Sequence, residues 1–118
     1  MNGQVFMQGK IIKQNFFCGH ELKEAPEIYD EILSRKNFLL ERIVSKGYKT
    51  PEKKWLVSRK DEWVILLKGK AKIRFANGIE LDISEGDFIS IPKNTKHKVT
   101  FTSKRPECIW LALHFKNY

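Results

Sequence analysis

Along most of this chain, short runs of alternating apolar and polar residues are separated by clusters of Gly, Asn, Asp, Pro and Ser. That pattern predicts strands and turns. The clearest signal is Asn77-Gly78 between Ile73-Arg74-Phe75 and residues 79–83. It predicts a hairpin, with both turn residues at the positive φ of a type I′ turn. Residues 84–87 form the next turn. A strand over residues 88–91 is stopped by Pro92, and a loop leads from it to His97. Beyond that point Val99 and Phe101 fall on the His97 side, with Lys98, Thr100 and Thr102 opposite. Residues 103–106 turn the chain into a closing strand over residues 108–115.

Earlier in the chain the pattern is less regular. Residues 62–68 carry apolar side chains on both faces: Val64 and Leu66 share a side with Glu62, while Trp63, Ile65 and Leu67 take the other. A strand of that kind needs cover outside the barrel as well as a core within it, supplied by an N-terminal arm or a second subunit. A homodimer is the expectation. Residues 47–52 read as a loop and residues 54–58 as a short strand. Residues 27–34 fit either a helix turn or a strand. A direct turn at Lys36-Asn37 into residues 38–45 favours a strand hairpin. Residues 1–24 have apolar positions without sustained period and are read as an arm with one or two short strands packing on the barrel. His20, beside Gly19, is read there as a surface or turn histidine. The chain is one domain, an all-β barrel or sandwich: residues 1–37 are the arm and first hairpin strand, and residues 38–118 the barrel.

Composition narrows the function classes. At 118 residues there is one core's worth of chain, and 42% hydrophobic with 31% charged residues is globular usage. No apolar stretch approaches the roughly 20 residues that cross a bilayer, and the opening residues lack a secretory pattern, so a cytoplasmic protein is expected. Cys18 and Cys108 have no CxxC spacing and are read as free, small buried hydrophobes. The net charge of +8 and a pI near 9.6 raise nucleic-acid binding, with Lys93, Lys96, Lys98, Lys104 and Arg105 the densest cluster. Yet Lys70, Lys72 and Arg74 alternate with Ala71, Ile73 and Phe75 as a solvated strand face would. No base-reading module accompanies them, so nucleic acid ranks third among the readings. An anionic small ligand is compatible with the charge.

One spacing is more specific. Gly86 stands six residues before Pro92 and eleven before His97, and Glu62 stands seven before Gly69. These residues resemble the second cupin motif, with Asn94 in place of its last glycine, and half of the first motif. The His-x-His that precedes the glutamate in that family is replaced by Trp55, Leu56, Val57 and Ser58. With Arg42-Ile43-Val44-Ser45, Asp61-Glu62-Trp63-Val64 and the run from Trp110 to Phe115, the chain is similar to small single-domain cupin type-2 proteins over residues 38–115.

The resemblance implies a jelly-roll barrel in which Glu62 and His97 point into one pocket. A simple hairpin register would pair His97 near Ala112 and turn Trp110, Ala112 and His114 to the same side. A slip of one residue sends His114 outward. Glu62, His97 and His114 then make a candidate divalent-metal set for Fe, Zn, Ni or Mn. The alternative is that Glu62 pairs with a neighbouring cation and His97 hydrogen-bonds within the cavity. Trp55 and Trp110 are candidate ligand-lining surfaces, with core packing as the competing role. The function expected is binding of a small molecule, anionic ones included, in the barrel cavity with a metal optional. A metal-dependent oxygenase or isomerase acting on a small acidic metabolite is the alternative, and no catalytic residue is assigned.

Overall fold

Eight strands and no helix make up residues 9–116, the part of the chain described by this computed structural model. They are β1 (Glu27–Arg35), β2 (Phe38–Ser45), β3 (Asp61–Lys68), β4 (Ala71–Phe75), β5 (Glu80–Ile83), β6 (Phe88–Ile91), β7 (His97–Thr102) and β8 (Cys108–Phe115). Five form an antiparallel sheet in the order β1-β2-β8-β3-β6, and three form another in the order β5-β4-β7. The sheets face each other as a jelly roll. Val64, Leu66 and Trp110 from the first meet Ala71, Ile73 and Ile83 from the second in one core.

Alternation decides which side chains enter that core. On β3, Val64 and Leu66 are buried while Trp63 and Ile65 are half-covered on the outer face, as the pattern over residues 62–68 predicts. Gly69 ends the strand at φ +94°. A Cβ there would stand 2.8 Å from Ser103 Oγ, 2.9 Å from Cys108 Sγ and 3.0 Å from Cys108 Cα, so both conformation and space demand glycine.

The expected β7–β8 hairpin does not form. β7 pairs with β4, and β8 lies in the other sheet between β2 and β3. Phe101 also departs from expectation. The register shifts so that Lys72 faces Phe101 while Ile73 faces Val99, leaving Thr100 as the extra residue of a bulge. Phe101 is turned outward and Thr102 inward, where the buried threonine hydroxyl donates to the Tyr48 carbonyl at 2.7 Å. The Asn77-Gly78 hairpin is present, but with three loop residues. Phe75 N donates to Ile79 O, Gly78 N donates to Phe75 O, and Gly78 has a positive φ while Asn77 does not. This is a turn closed by a glycine bulge, the next commonest hairpin solution after type I′.

Residues 54–58 are not a strand. They touch the sheet through one bridge, Leu56 to His97, with N–H···O bonds of 2.7 and 3.0 Å in the two directions. With the loop before it, this segment meets the free edge of β7 at two points, since Thr50 N also donates to Val99 O at 2.9 Å. It satisfies backbone groups that an open sheet edge would leave exposed. The arm likewise holds no strand among the described residues, and Phe6 lies outside them. Phe16 packs on Ile28, Val44 and Ile109, a second, smaller core on the outer face of the five-stranded sheet. Arg42 ties the arm down: Nη1 donates to Phe16 O and Cys18 O at 2.9 and 2.6 Å, and Nη2 donates to Asp30 at 2.8 Å. Cys18 is exposed, not buried, and meets the sheet through its carbonyl, which accepts from Arg42; Cys108 is buried as expected. His20 does lie in a turn but is buried, with Nδ1 lacking a partner among the described residues.

Candidate functional site

The parities set by β2, β3, β7 and β8 converge on a cavity of about 210 Å³ between the sheets. Its apolar wall includes Val64, Ile73, Val99 and Trp110; its polar groups include Glu27, Glu41, Glu62, His97 and His114, and neither Lys nor Arg lines it. On the inner face of the five-stranded sheet, Glu62 on β3 stands directly opposite His114 on β8, and Glu41 on β2 lies diagonally across from it. His114 is therefore flanked by two carboxylates. Its Nε2 is 2.7 Å from Glu41 Oε1, a charge-assisted hydrogen bond in which the imidazole donates, and its Nδ1 is 3.7 Å from Glu62 Oε2. The Glu41 hydrogen bond raises the His114 pKa above the ordinary imidazole value; burial opposes the shift, and the charge of Glu62 adds to it.

His97 lies on the opposite sheet, at the start of β7. Its Nδ1 is 2.9 Å from the Thr95 carbonyl, and because a carbonyl can only accept, Nδ1 carries the proton and Nε2 is the acceptor of the neutral ring. The loop that aims it depends on Asn94, at φ +63°, with its N–H donated to Ser58 O at 2.7 Å. Asparagine is among the few residues that accept this left-handed conformation, which explains how it stands where the related motif has glycine. A further carboxyl group, Glu27, receives the Tyr29 hydroxyl at 2.6 Å and the Ser45 hydroxyl at 3.3 Å. Burial pushes the Glu27 carboxyl up, against the lowering effect of those two bonds.

The residues expected at the site are thus partly assembled. Glu62, His97, His114 and Trp110 all line the cavity. His114 faces inward although the hairpin invoked for it is absent, because its pairing with Glu62 across β3 and β8 has the required parity. Trp55 does not line the cavity. It precedes Leu56, whose bridge to His97 turns Leu56 inward and its neighbour outward, and the Trp55 ring is covered by Lys98, with Nζ 4.3 Å from its centroid. The expected metal set does not fit the donors present. Among the described residues no three of His, Cys, Asp and Glu form a metal-holding group. His114 Nε2 is already hydrogen-bonded to Glu41 at 2.7 Å, and its Nδ1 stands 3.7 Å from Glu62 Oε2. Glu41 and Glu27 were not singled out in the sequence. Their faces could be read from the period of β1 and β2, but not the strands that would lie beside them.

Comparison with known proteins agrees with the fold. Curated protein sequences give no significant match. A candidate mannose-6-phosphate isomerase from Ralstonia eutropha JMP134 superposes with a TM-score of 0.84 at 30% identity, over 91% of this chain and 100% of that one. A cupin superfamily protein from Desulfitobacterium hafniense DCB-2 superposes at 0.67 with 14% identity, covering 80% of this chain and 82% of the other. The polyketide cyclase RemF from Streptomyces resistomycificus does so at 0.65 with 15% identity, covering 78% and 66%. These two likenesses are of fold. The family model described as a cupin domain matches residues 46–114, from the loop along β7 through β8, and on that match the protein belongs to the cupin domain family.

Proposed function

We propose that this cupin binds a small, uncharged polar molecule such as a sugar or short polyol in its barrel cavity. The observation that carries this reading is the lining: three glutamates, two histidines and a tyrosine around an apolar wall that includes Trp110, with no lysine or arginine. Carboxylates and imidazoles hydrogen-bond hydroxyl groups, and an indole face suits the apolar side of a sugar. The volume of about 210 Å³ exceeds a cavity that holds benzene, about 150 Å³, and falls below the roughly 300–1,000 Å³ of drug-sized sites. A ligand of about one ring suits it. An anionic ligand is disfavoured despite the net charge of +8, because the positive residues lie outside the cavity and Glu27, Glu41 and Glu62 lie inside it.

The relative named as a candidate mannose-6-phosphate isomerase supports a sugar-sized ligand, while a phosphate would find no cationic side chain in this lining. Titration of D-mannose, D-fructose and mannose 6-phosphate, followed by the Trp110 indole N–H resonance, tests the reading. The neutral sugars should shift that signal and the phosphorylated one should not. Preferential binding of the phosphorylated sugar would overturn it. Metal analysis of protein purified without an affinity tag should find well under one ion per chain. Stoichiometric metal, lost on Glu62→Ala, would restore the metal-centred alternative.

A further inference from the structure

We propose that the edge of the molecule formed by residues 46–60 and β7 docks on an anionic phospholipid surface. The inference does not depend on what the cavity binds. Its basis is where the net charge lies. The loop joining β2 to β3 and residues 92–107, which hold β7 and its two flanking loops, carry eleven Lys and Arg against two acids. That amounts to +9, while eleven bases and twelve acids leave −1 for the rest of the chain, so this edge accounts for the whole net charge of +8.

The two stretches are far apart in sequence, and the fold joins them along their length. At one end Gly47 N donates to Ser103 O at 3.3 Å and the Thr102 hydroxyl to Tyr48 O at 2.7 Å. In the middle Val99 N donates to Thr50 Oγ1 at 3.0 Å and Leu56 bridges His97; at the other end Asn94 N donates to Ser58 O at 2.7 Å. Among the described residues none of the eleven cations forms an ion pair, whereas Lys68, Lys72 and Arg74 elsewhere each do. Lys98 is buried and donates to Glu52 O at 2.6 Å, and Lys46 donates to Lys23 O at 2.9 Å. Crowded, unpaired like charges repel one another, and an anionic partner relieves that repulsion.

A second observation selects lipid among anionic partners. Trp55, Leu56 and Val57 are consecutive and 40%, 38% and 56% exposed, and they stand between Lys53-Lys54 and Arg59-Lys60. An exposed apolar run is a defect unless something covers it, and apolar residues flanked by cations suit the headgroup layer of a bilayer, where tryptophan settles. Nine of the eleven cations are Lys, compact charges that answer a diffuse negative potential, whereas paired recognition of single nucleic-acid phosphates favours Arg. Bonds from the loop already occupy part of the β7 edge that an acidic peptide would need to add as a strand. Leu56, Val57 and Ser58 also line the cavity, so the docking edge carries one wall of it.

Sedimentation of the full chain with vesicles at physiological salt is the test, using phosphatidylcholine alone and phosphatidylcholine mixed with phosphatidylserine. The protein should pellet with the mixed vesicles and stay in solution with the neutral ones. Lys53→Gln combined with Lys54→Gln should weaken that partitioning about twentyfold, at about fivefold per charge removed. Lys10→Gln combined with Lys13→Gln, at exposed positions of the arm, lowers the net charge equally and should leave partitioning within about twofold. Trp55→Ala should still bind at low salt and let go at physiological salt, because charge alone is screened. If the Lys53 and Lys54 double variant melts early, Lys93→Gln with Lys96→Gln on the same edge takes its place. No pelleting with the mixed vesicles, or an equal loss in the arm variant, would overturn the proposal. Salt-resistant binding of an RNA oligomer or of polyglutamate in preference to vesicles would assign the edge to another polyanion and overturn the lipid surface.

Discussion

His114 and Gly69 illustrate how single residues here are fixed by atoms far away in the chain. The His114 pKa is raised in the folded state by Glu41, with burial opposing and Glu62 adding, relative to about 6.5 for a free imidazole. A raised folded value means that the group's contribution to stability is fully present below about pH 6.5 and is lost as pH rises through the folded value. Glu41→Gln should therefore destabilise the protein more near about pH 6 than at pH 9, measured by urea denaturation, and the His114 NMR titration should move down. Equal losses at both pH values would show that the carboxylate's effect is not electrostatic. Gly69→Ala should cost roughly 3 kcal/mol, combining a left-handed backbone with forced overpacking against Ser103 and Cys108. A change under about 1 kcal/mol in the same assay would mean that neighbours give way freely.

At the scale of elements, the β7 edge and the arm are held by specific polar contacts. Arg42 is buried, donates to two arm carbonyls and to Asp30, and packs against the Phe16 ring at 5.9 Å. Asp30 is itself partly desolvated, which would raise its pKa, yet its bonds to Lys23 and Arg42 hold it below the usual carboxylate range. Arg42→Ala should cost about 3–5 kcal/mol, the scale for removing one partner of a buried pair. It should also make residues 9–24 the first site of limited proteolysis. Arg42→Lys should not restore protection, since an ammonium cannot reach both carbonyls and the carboxylate in one plane. Protection unchanged in Arg42→Ala would assign the anchoring to Phe16 alone.

At the scale of the whole molecule, the described residues cover the outer face of the five-stranded sheet only in part. Phe16 shields its Ile28, Val44 and Ile109 corner. Trp63 and Phe88, with ring centroids 5.3 Å apart, lie away from that corner, and Phe88 is 61% exposed. We propose that two copies pair through this face. Sedimentation at micromolar concentration should give a dimer, and Phe88→Asp a monomer; a monomeric native protein would leave this face without a partner copy. Part of the basic charge is paired within the fold: Arg74 pairs with Glu80 at 3.2 Å and Lys72 lies 3.9 Å from Asp82 across the β4–β5 hairpin. Generic DNA or RNA should accordingly bind weakly and be released between low and physiological salt.

Local information was enough for most of the eight strands, though it also suggested strands at residues 54–58 and in the arm that do not form. Turn chemistry and a two-residue period act over a few residues, so β4, β5 and β6 could be read directly, whereas β1 fitted helix or strand until the turn at Lys36-Asn37 favoured a strand, and the inward parity of Glu62 and His97 came only with the cupin resemblance. Motif spacing added the jelly roll. Pairing between distant strands is a different matter, because alternation says which side chains share a face and nothing about which strand lies alongside. His114 was expected inward through a β7–β8 hairpin, yet it is inward through β3. Phe101 and Trp55 were misplaced because one bulged residue, or one bridge made by a loop, reverses parity. Glu41 reads as an ordinary charged strand residue until β2 is laid beside β8, and only then does its carboxylate meet His114. The strands were therefore written in neighbouring residues, whereas the company each cavity side chain keeps was decided by long-range pairing, which no local period encodes.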